Sequence, residues 1–209
     1  MGASIAKIIS VVDNGNNNTY DVPSYKIKTS AAVLFAGDNN VLVIGEGANI
    51  VNARFRFQGS NSRITIGAKC KLNGDYIVRD GCVIEIGYGT KFNNPAARLH
   101  CGEANTSILI GERCLFANVR FRTSDQHSIV DKVSRKRLNP AANIIIESRV
   151  WIAEEVNVYK GVTVGSGSIV GARATVTRSL PGDSLCLGTP AKVVKSGVAW
   201  VEDPTKNLP

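Results

Sequence analysis

A repeat of six residues constrains the fold of this 209-residue chain more than any other feature of its sequence. Between residues 144 and 176, every sixth position carries a β-branched aliphatic side chain: Ile146, Ile152, Val158, Val164, Val170 and Val176. The positions two residues earlier are apolar or small: Ile144, Val150, Val156, Val162, Ser168 and Ala174. The first half of the chain repeats the spacing at Ile66, Leu72, Val78 and Ile84. Self-similarity at a fixed period determines the architecture and is therefore interpreted first.

A period of six matches neither an α-helix of 3.6 residues per turn nor an alternating strand. It matches a short strand plus a turn, wound so that each third of a coil presents one inward aliphatic residue. Stacked coils then bury continuous columns of side chains and pair their backbones with the coils above and below. Cys70, Cys82 and Cys114 fall in the preceding column, where cysteine serves as a small hydrophobe. The sequence therefore predicts an all-β solenoid.

The solenoid is predicted over residues 36–182, with a loop insertion at about 122–143. Residues 1–35 are less regular and are expected to cap the first coil, because an open end would expose apolar core and unpaired strand edges. Within this cap, Asn14-Gly15 signals a turn between two strands. Residues 183–209 are expected to form a C-terminal cap and a short helical or extended tail. All of these parts form one structural domain.

A net charge of +8 favours an anionic partner: nucleic acid, a phosphorylated cofactor or an acidic polysaccharide. A solvated basic surface is the alternative. Nucleic acid is not expected, because the sequence has no zinc-finger spacing, no aromatic RNA-binding box and no basic helix. No membrane span is expected, since no apolar run reaches about 18 residues. The scattered cysteines and the absence of a secretory signal indicate a cytoplasmic protein.

The segment Val150–Lys195, "VWIAEEVNVYKGVTVGSGSIVGARATVTRSLPGDSLCLGTPAKVVK", resembles the C-terminal half of the hexapeptide-repeat acyltransferases. The resemblance covers about residues 40–200, and "GTPAKVVK" after the last coil is a specific mark of that family. It implies a left-handed parallel β-helix, although parallel crossovers usually have the opposite hand. It also implies a homotrimer that binds acetyl-CoA along the helix axis, in sites between neighbouring subunits.

The segment "RTSDQHSIVDKVSRKRLN", residues 122–139, interrupts the repeat and contains His127. Its "SDQHSIVD" part is similar to an element of the sugar O-acetyltransferase branch, and the resemblance implies that His127 is a general base. A sugar hydroxyl has a pKa far above 7, so a base that removes its proton during attack on a thioester contributes about 10²–10⁴-fold. Asp125 and Asp131 are the candidates to orient the imidazole. A loop histidine without a role is the alternative.

Further site residues follow from the resemblance. Trp151 corresponds to a tryptophan that lies against the acetyl-donor site, where its indole N–H would donate to the thioester carbonyl or shape the pocket. Packing at a coil corner is the alternative for Trp151. Small residues that admit the pantetheine arm and basic residues that suit phosphates define the expected CoA zone: Ala153, Gly171, Ala172, Arg173, Pro190, Lys192 and Lys195. No metal is expected, and His100, which lacks the flanking pattern, receives no role.

Arg135, Lys136 and Arg137 form a basic cluster on the same excursion as His127. We therefore predict that they bind an anionic acceptor, such as a sialic-acid-containing capsular polysaccharide; binding of CoA phosphates or of solvent is the alternative. The function predicted is acetyl-CoA-dependent O-acetyl transfer to a carbohydrate by direct attack. Two other functions stay open: acetylation of a small acceptor (a nucleotide-linked amino sugar, serine or an antibiotic) and a non-catalytic β-helix scaffold.

Overall fold

The computed structural model describes residues 9–22, 25–93, 96–203 and 205, with the backbone alone given for 25–29. These residues contain strands and turns and no helix, and so no helix that could cross a membrane. The strands are β1 (Ser10–Asp13), β2 (Thr19–Asp21), β3 (Tyr25–Phe35), β4 (Val41–Ile44), β5 (Ala48–Phe57), β6 (Arg63–Ile66), β7 (Lys71–Val78), β8 (Val83–Ile86), β9 (Lys91–Asn93), β10 (Ala97–His100), β11 (Ser107–Ile110), β12 (Leu115–Ala117), β13 (Arg120–Arg122), β14 (Ile144–Ile146), β15 (Trp151–Ile152), β16 (Asn157–Tyr159), β17 (Thr163–Val164), β18 (Ile169–Val170), β19 (Thr175–Val176), β20 (Ser184–Leu187) and β21 (Lys192–Ser196).

Parallel pairing stacks these strands into the three faces of a prism. The first face consists of β2, β4, β6, β8, β11, β14 and β17. The second face contains the first halves of β3, β5 and β7, followed by β9, β12, β15, β18 and β20. The third face contains β1, the second halves of β3, β5 and β7, and then β10, β13, β16 and β19. The predicted left-handed parallel β-helix is confirmed.

The coils differ in length along the axis. Ala32 pairs with Arg54, 22 positions further on, whereas Trp151 pairs with Ile169, 18 positions further on. Eighteen residues are three hexapeptides, so the strict repeat belongs to the later coils. The longer early coils hold larger side chains in their core: the rings of Phe55 and Tyr76 stack with centroids 5.0 Å apart. The extra residues therefore widen the faces without breaking the stack.

The predicted core columns are confirmed, since every residue assigned to them above is buried. All five cysteines are buried and free. At the N-terminal end, β1 and β2 pair in parallel with β3 and β4, so coil structure already includes residues predicted to lie in the cap. At the other end, β21 folds back antiparallel on β20, and residues 197–203 continue without a helix. Residues 1–8 of the predicted cap and 206–209 of the tail lie outside the described residues.

The predicted excursion leaves the coil where β13 ends and rejoins it at β14. We call residues 123–143 the histidine loop. The loop projects from the edge between the third and first faces, because β13 belongs to the third face and β14 to the first. Its two ends are held together by the Ala142 amide, which donates to the Thr123 carbonyl at 3.0 Å.

Candidate active site

The histidine loop is an ordered hairpin. Val130 and Arg137 form an antiparallel bridge, and the Leu138 amide donates to the Ile129 carbonyl at 2.7 Å. The Asp131 carboxylate closes the turn by accepting from the backbone amide and the hydroxyl of Ser134, and these bonds lower the pKa of Asp131. Asp131 therefore stabilises the hairpin, and no described contact joins its carboxylate to His127.

Asn139 connects the hairpin to the backbone of the predicted base. It is only 9% exposed, and its amide nitrogen donates to the His127 carbonyl at 2.9 Å and to Asp125 Oδ2 at 2.7 Å. Its amide oxygen accepts from the Ile129 backbone N–H at 2.6 Å. Arg137 Nε also donates to this oxygen at 3.4 Å, so four polar groups of the loop meet at one side chain, which fixes the path of the chain at His127.

Asp125 anchors this network to the coil. The Lys160 ammonium, just beyond β16, contacts Asp125 Oδ2 and donates to the Asn139 carbonyl at 3.0 Å. Hydrogen bonds from Lys160 and then Asn139 lower the pKa of Asp125. The carboxylate is therefore directed at a lysine and an amide; among the described residues, neither candidate aspartate contacts the imidazole.

His127 is exposed, and no described side chain hydrogen-bonds its imidazole. The preceding residue, Gln126, has a left-handed backbone with φ of 63°, as do turn residues elsewhere in the chain such as Lys69 and Arg149. Its amide donates to Ser124 Oγ at 2.8 Å, and its side-chain oxygen accepts from Arg122 at 3.1 Å. The imidazole is therefore presented on a fixed backbone and is available to a substrate.

The basic cluster on the hairpin divides into two parts. The Arg137 guanidinium makes a bidentate ion pair with Glu103, with N–O distances of 2.7 and 2.6 Å. This pair, together with a hydrogen bond from the Ser124 hydroxyl, lowers the pKa of Glu103 to about 2. Arg135 and Lys136 are exposed at the hairpin turn. Arg137 thus fastens the hairpin to the coil, and the other two cations face solvent.

A second basic site, which the sequence did not reveal, lies on the third face. We call it the arginine cleft; it is lined by Arg98, His100, Arg120, Arg122 and Gln126. The strand register places Arg98 beside Arg120 and His100 beside Arg122 on adjacent rungs. In "ARLH" and "VRFR", basic residues alternate with apolar ones, as expected for side chains on the outside of a strand. That the two segments are neighbours becomes clear only when the coil length of 22 residues at this point is known.

His100 forms the buried part of the arginine cleft. It is 8% exposed, and its Nε2 atom is buried without a hydrogen-bond partner in the described structure. Burial, followed by the nearby charges of Arg98 and Arg122, lowers the pKa of His100 to about 4. The ring is therefore neutral at physiological pH, and one of its nitrogen atoms has its hydrogen-bonding capacity unused.

Trp151 lies on the second face, within β15, and is 38% exposed. Its ring centroid is 6.1 Å from that of Trp200 in the C-terminal tail. The Trp200 indole N–H donates to the Arg149 carbonyl at 2.6 Å and so holds the tail against this face. Trp151 therefore contributes to an aromatic surface on the prism and is not packed in a coil corner.

The residues predicted to bind CoA come together around the last coils of the second face. Ala153 and Gly171 directly follow β15 and β18, neighbouring strands of that face. Ala172 and Arg173 occupy the adjoining turn, where Arg173 Nε pairs with Glu155 at 2.8 Å. The remaining members lie on or before β21: Pro190, Lys192 and Lys195.

Within one chain, the histidine loop and Trp151 are on opposite sides of the prism. The loop leaves from the edge between the first and third faces, whereas Trp151 lies on the second face. A pocket that uses both would have to form between two copies of the chain. In the part of the chain that the structure describes, no cluster of three or more His, Cys, Asp or Glu residues is arranged to hold a metal.

Comparison with solved structures gives two extensive matches. The polySia specific acetyltransferase NeuO superposes with a TM-score of 0.88 and 33% sequence identity, covering 96% of this chain and 92% of that chain. The polysialic acid O-acetyltransferase OatWY superposes with a TM-score of 0.84 and 26% identity, covering 94% and 92%. Similarity thus extends over nearly the whole chain. No protein-family profile matches the chain.

Two curated proteins named polysialic acid O-acetyltransferase are also similar to the chain. The one from Escherichia coli O1:K1 / APEC is 34% identical over 138 residues, which are 66% of this chain and 44% of that protein. The one from Neisseria meningitidis is 26% identical over 213 residues, covering 93% and 95% of the two chains. The aligned segment therefore spans less than half of the first protein and nearly all of the second.

Proposed function

Because the chain belongs to the hexapeptide-repeat acyltransferases, in the branch of the polysialic acid O-acetyltransferases, we propose that it transfers an acetyl group from acetyl-CoA to a hydroxyl of an acidic, sialic-acid-containing capsular polysaccharide. The observation that carries this proposal is the exposed His127 on a fixed loop, next in the chain to Gln126, which lines a cleft of arginines that form no described salt bridge. The two solved structures and the two curated proteins described above are all named for polysialic acid.

In the proposed reaction, the His127 imidazole accepts the proton of the sugar hydroxyl as the hydroxyl oxygen attacks the thioester carbonyl. A tetrahedral intermediate forms and then collapses, breaking the bond from carbon to sulfur. The leaving CoA thiolate takes up the proton from the imidazolium, which restores the neutral base. Asn139 acts by positioning, because it holds the His127 carbonyl and the start of the hairpin in place.

The donor is proposed to lie on the second face. The small side chain of Ala153 leaves room for the pantetheine arm beside the backbone, Leu187 packs over Gly171 in the same zone, and Lys192 and Lys195 suit the phosphates of CoA. The indole N–H of Trp151 would donate to the thioester carbonyl as negative charge develops on its oxygen. Bound acetyl-CoA would supply the activated acyl group, and no metal takes part in this scheme.

We propose a homotrimer in which the histidine loop of one subunit meets the second face of the next. The placement of His127 and Trp151 on opposite sides of one prism supports a site shared between chains. Each closed ring of three would contain three equivalent sites. The five free cysteines support a cytoplasmic location, where thiols stay reduced and acetyl-CoA is made.

The proposed reaction is tested by incubating the protein with acetyl-CoA and purified sialic acid polymer and measuring the release of the CoA thiol. His127→Ala should lower kcat by about 10²–10⁴-fold, because the general base is lost. Ser128→Ala, a neighbouring exposed loop position, is the matched control and should keep wild-type turnover. Near-normal turnover by His127→Ala, or equal transfer to a neutral glycan and to a small amino sugar, would contradict the proposal.

Subunit mixing tests whether the site lies between chains. His127→Ala and Trp151→Ala chains are each expected to be weakly active alone. When the two are unfolded and refolded together, about one quarter of the interfaces should pair an intact loop with an intact second face, by random assembly of a ring. Recovered activity supports a shared site, and mixtures no more active than their components would contradict it.

A further inference from the structure

The arginine cleft owes its shape to the stacking of β10 and β13. Neighbouring strands are about 4.8 Å apart, and alternate residues point to opposite sides of a strand. Leu99 and Phe121 point into the core and are fully buried, so their neighbours on either side project outwards. The backbone register therefore holds the projecting side chains on the two rungs side by side.

The three arginines of the arginine cleft form no described salt bridge, whereas some other arginines of the surface do. Arg54 and Arg56 share Asp75, and Arg173 pairs with Glu155. Arg98, Arg120 and Arg122, by contrast, have no salt-bridge partner among the residues that the structure describes. Asp75 lies beside Arg98 on the preceding rung, but it is paired with Arg54 and Arg56 and forms no described salt bridge with Arg98. Three guanidinium groups on adjacent rungs repel one another, and an anion bound between them would relieve that repulsion.

His100 provides a second, independent indication of a ligand. Buried polar atoms without a partner are rare in folded proteins, and the unpartnered Nε2 of His100 lies in the arginine cleft. Because the ring is neutral, its Nε2 can carry the proton and donate to an anionic oxygen. The cavity of about 220 Å³ has room for several water-sized groups, and so for a carboxylate, without rearrangement.

We propose that the arginine cleft binds a carboxylate of the acceptor polysaccharide, with bidentate contacts from the arginines and a hydrogen bond from His100 Nε2. This inference rests on the proposed function and assigns its acceptor subsite to the third face instead of the hairpin cluster. Arg122 joins the cleft to the base, because it donates to the side chain of Gln126, which precedes His127. A sugar fixed by its carboxylate in the cleft would bring a hydroxyl of the same or the next residue to His127.

Direct binding tests this subsite without requiring catalysis. The probe is an α2,8-linked sialic acid oligomer titrated calorimetrically into the full-length protein. The cleft variant, Arg98→Gln with Arg120→Gln, should weaken binding about 10-fold to 100-fold, because hydrogen bonds to charged groups are lost. The loop variant, Arg135→Gln with Lys136→Gln, removes the same number of exposed charges and should change the dissociation constant less than about 2-fold.

The same two variants are then assayed for the KM of acetyl-CoA, which should not change in either. Equal weakening by both variants would overturn the inference, as would unchanged binding by the cleft variant. A raised acetyl-CoA KM in the cleft variant would assign the cleft to the CoA phosphates instead and would also overturn it. If the wild-type protein binds the oligomer but transfers no acetyl group, the proposed function fails while the carboxylate site stands.

Discussion

The hairpin cluster and the arginine cleft are both basic, but the protein holds their charges in different ways. On the hairpin, Arg137 is neutralised by Glu103, and Arg135 projects into solvent. In the cleft, Arg98 and Arg120 are fixed on adjacent rungs, and neither forms a described salt bridge. A run of basic residues in a sequence therefore does not by itself locate an anion site. Cations that a repeat places side by side, far apart in the chain, are better arranged to bind one.

After loss of the base itself, the largest effect is expected from loosening the hairpin. Asn139→Ala removes the bonds to the His127 carbonyl, to Asp125 and to the Ile129 amide, so the base loses its position. We expect kcat to fall about 10²-fold, the cost of a displacement of about 1 Å, with little change in acceptor KM. Lys132→Ala, an exposed position on the same hairpin, is the control for turnover measurements. A change confined to acceptor KM would show that the hairpin binds substrate and does not position the base.

Acid should destabilise the fold through the buried His100 of the arginine cleft. The pKa of His100 lies near 4 instead of 6.5, so between these values the unfolded chain binds a proton that the folded chain does not. The free energy of unfolding should therefore decrease as the pH falls through this window, by at most about 3 kcal/mol. His100→Gln should lose this part of the dependence in urea unfolding compared at about pH 7 and about pH 4.5. Identical acid dependence in both proteins would contradict the described environment of His100.

The smallest effect is expected at Glu103. Arg137 and then Ser124 lower the pKa of Glu103 to about 2. The ion pair therefore stabilises the fold fully above about pH 4.5, and this stabilisation is lost as the pH falls through 2. Glu103→Gln should therefore reduce the thermal midpoint slightly at neutral pH and hardly at all in strong acid, since the pair is partly exposed. Acceptor KM should stay unchanged. A clear drop in KM on freeing Arg137 would return the acceptor site to the hairpin.

The sequence predicted the later coils well because their spacing is strict. Val158 and Val176 are 18 positions apart and pair in register, so a column drawn on the sequence is a column in the structure. In the early coils the pairing interval changes: Asp75 pairs with Arg98, 23 positions on, and Arg63 with Val83, 20 positions on. A fixed period cannot align such rungs. The spacing of residues 10–22 therefore does not reveal that β1 and β2 already pair with the first coils.

The candidate site was only partly predictable for the same reason. His127 stands out as a break in a regular pattern, and a local motif is sufficient to find it. Asp131 lies near His127 in the sequence, and this position predicts that its carboxylate orients the imidazole. In the folded hairpin, that carboxylate instead accepts a hydrogen bond from the Ser134 amide and closes the turn. The arginine cleft combines residues from two coils. The environment of His100 depends on Arg122, its neighbour on the next rung, and cannot be inferred from the residues that flank His100 in the sequence. Contacts across coils depend on register, which the sequence does not state.

The most direct test of the difference between the two basic sites combines a change in the protein with a change in the acceptor. The kcat/KM of the wild-type protein, the cleft variant and the loop variant would be measured on sialic acid polymer and on the same polymer with its carboxyl groups reduced to alcohols. Wild type and loop variant should prefer the native polymer by about 10-fold or more, whereas the cleft variant should use both equally, because groups in contact are not additive. Full discrimination retained by the cleft variant, or lost by the loop variant, would contradict the assignment of the acceptor carboxylate to the third face.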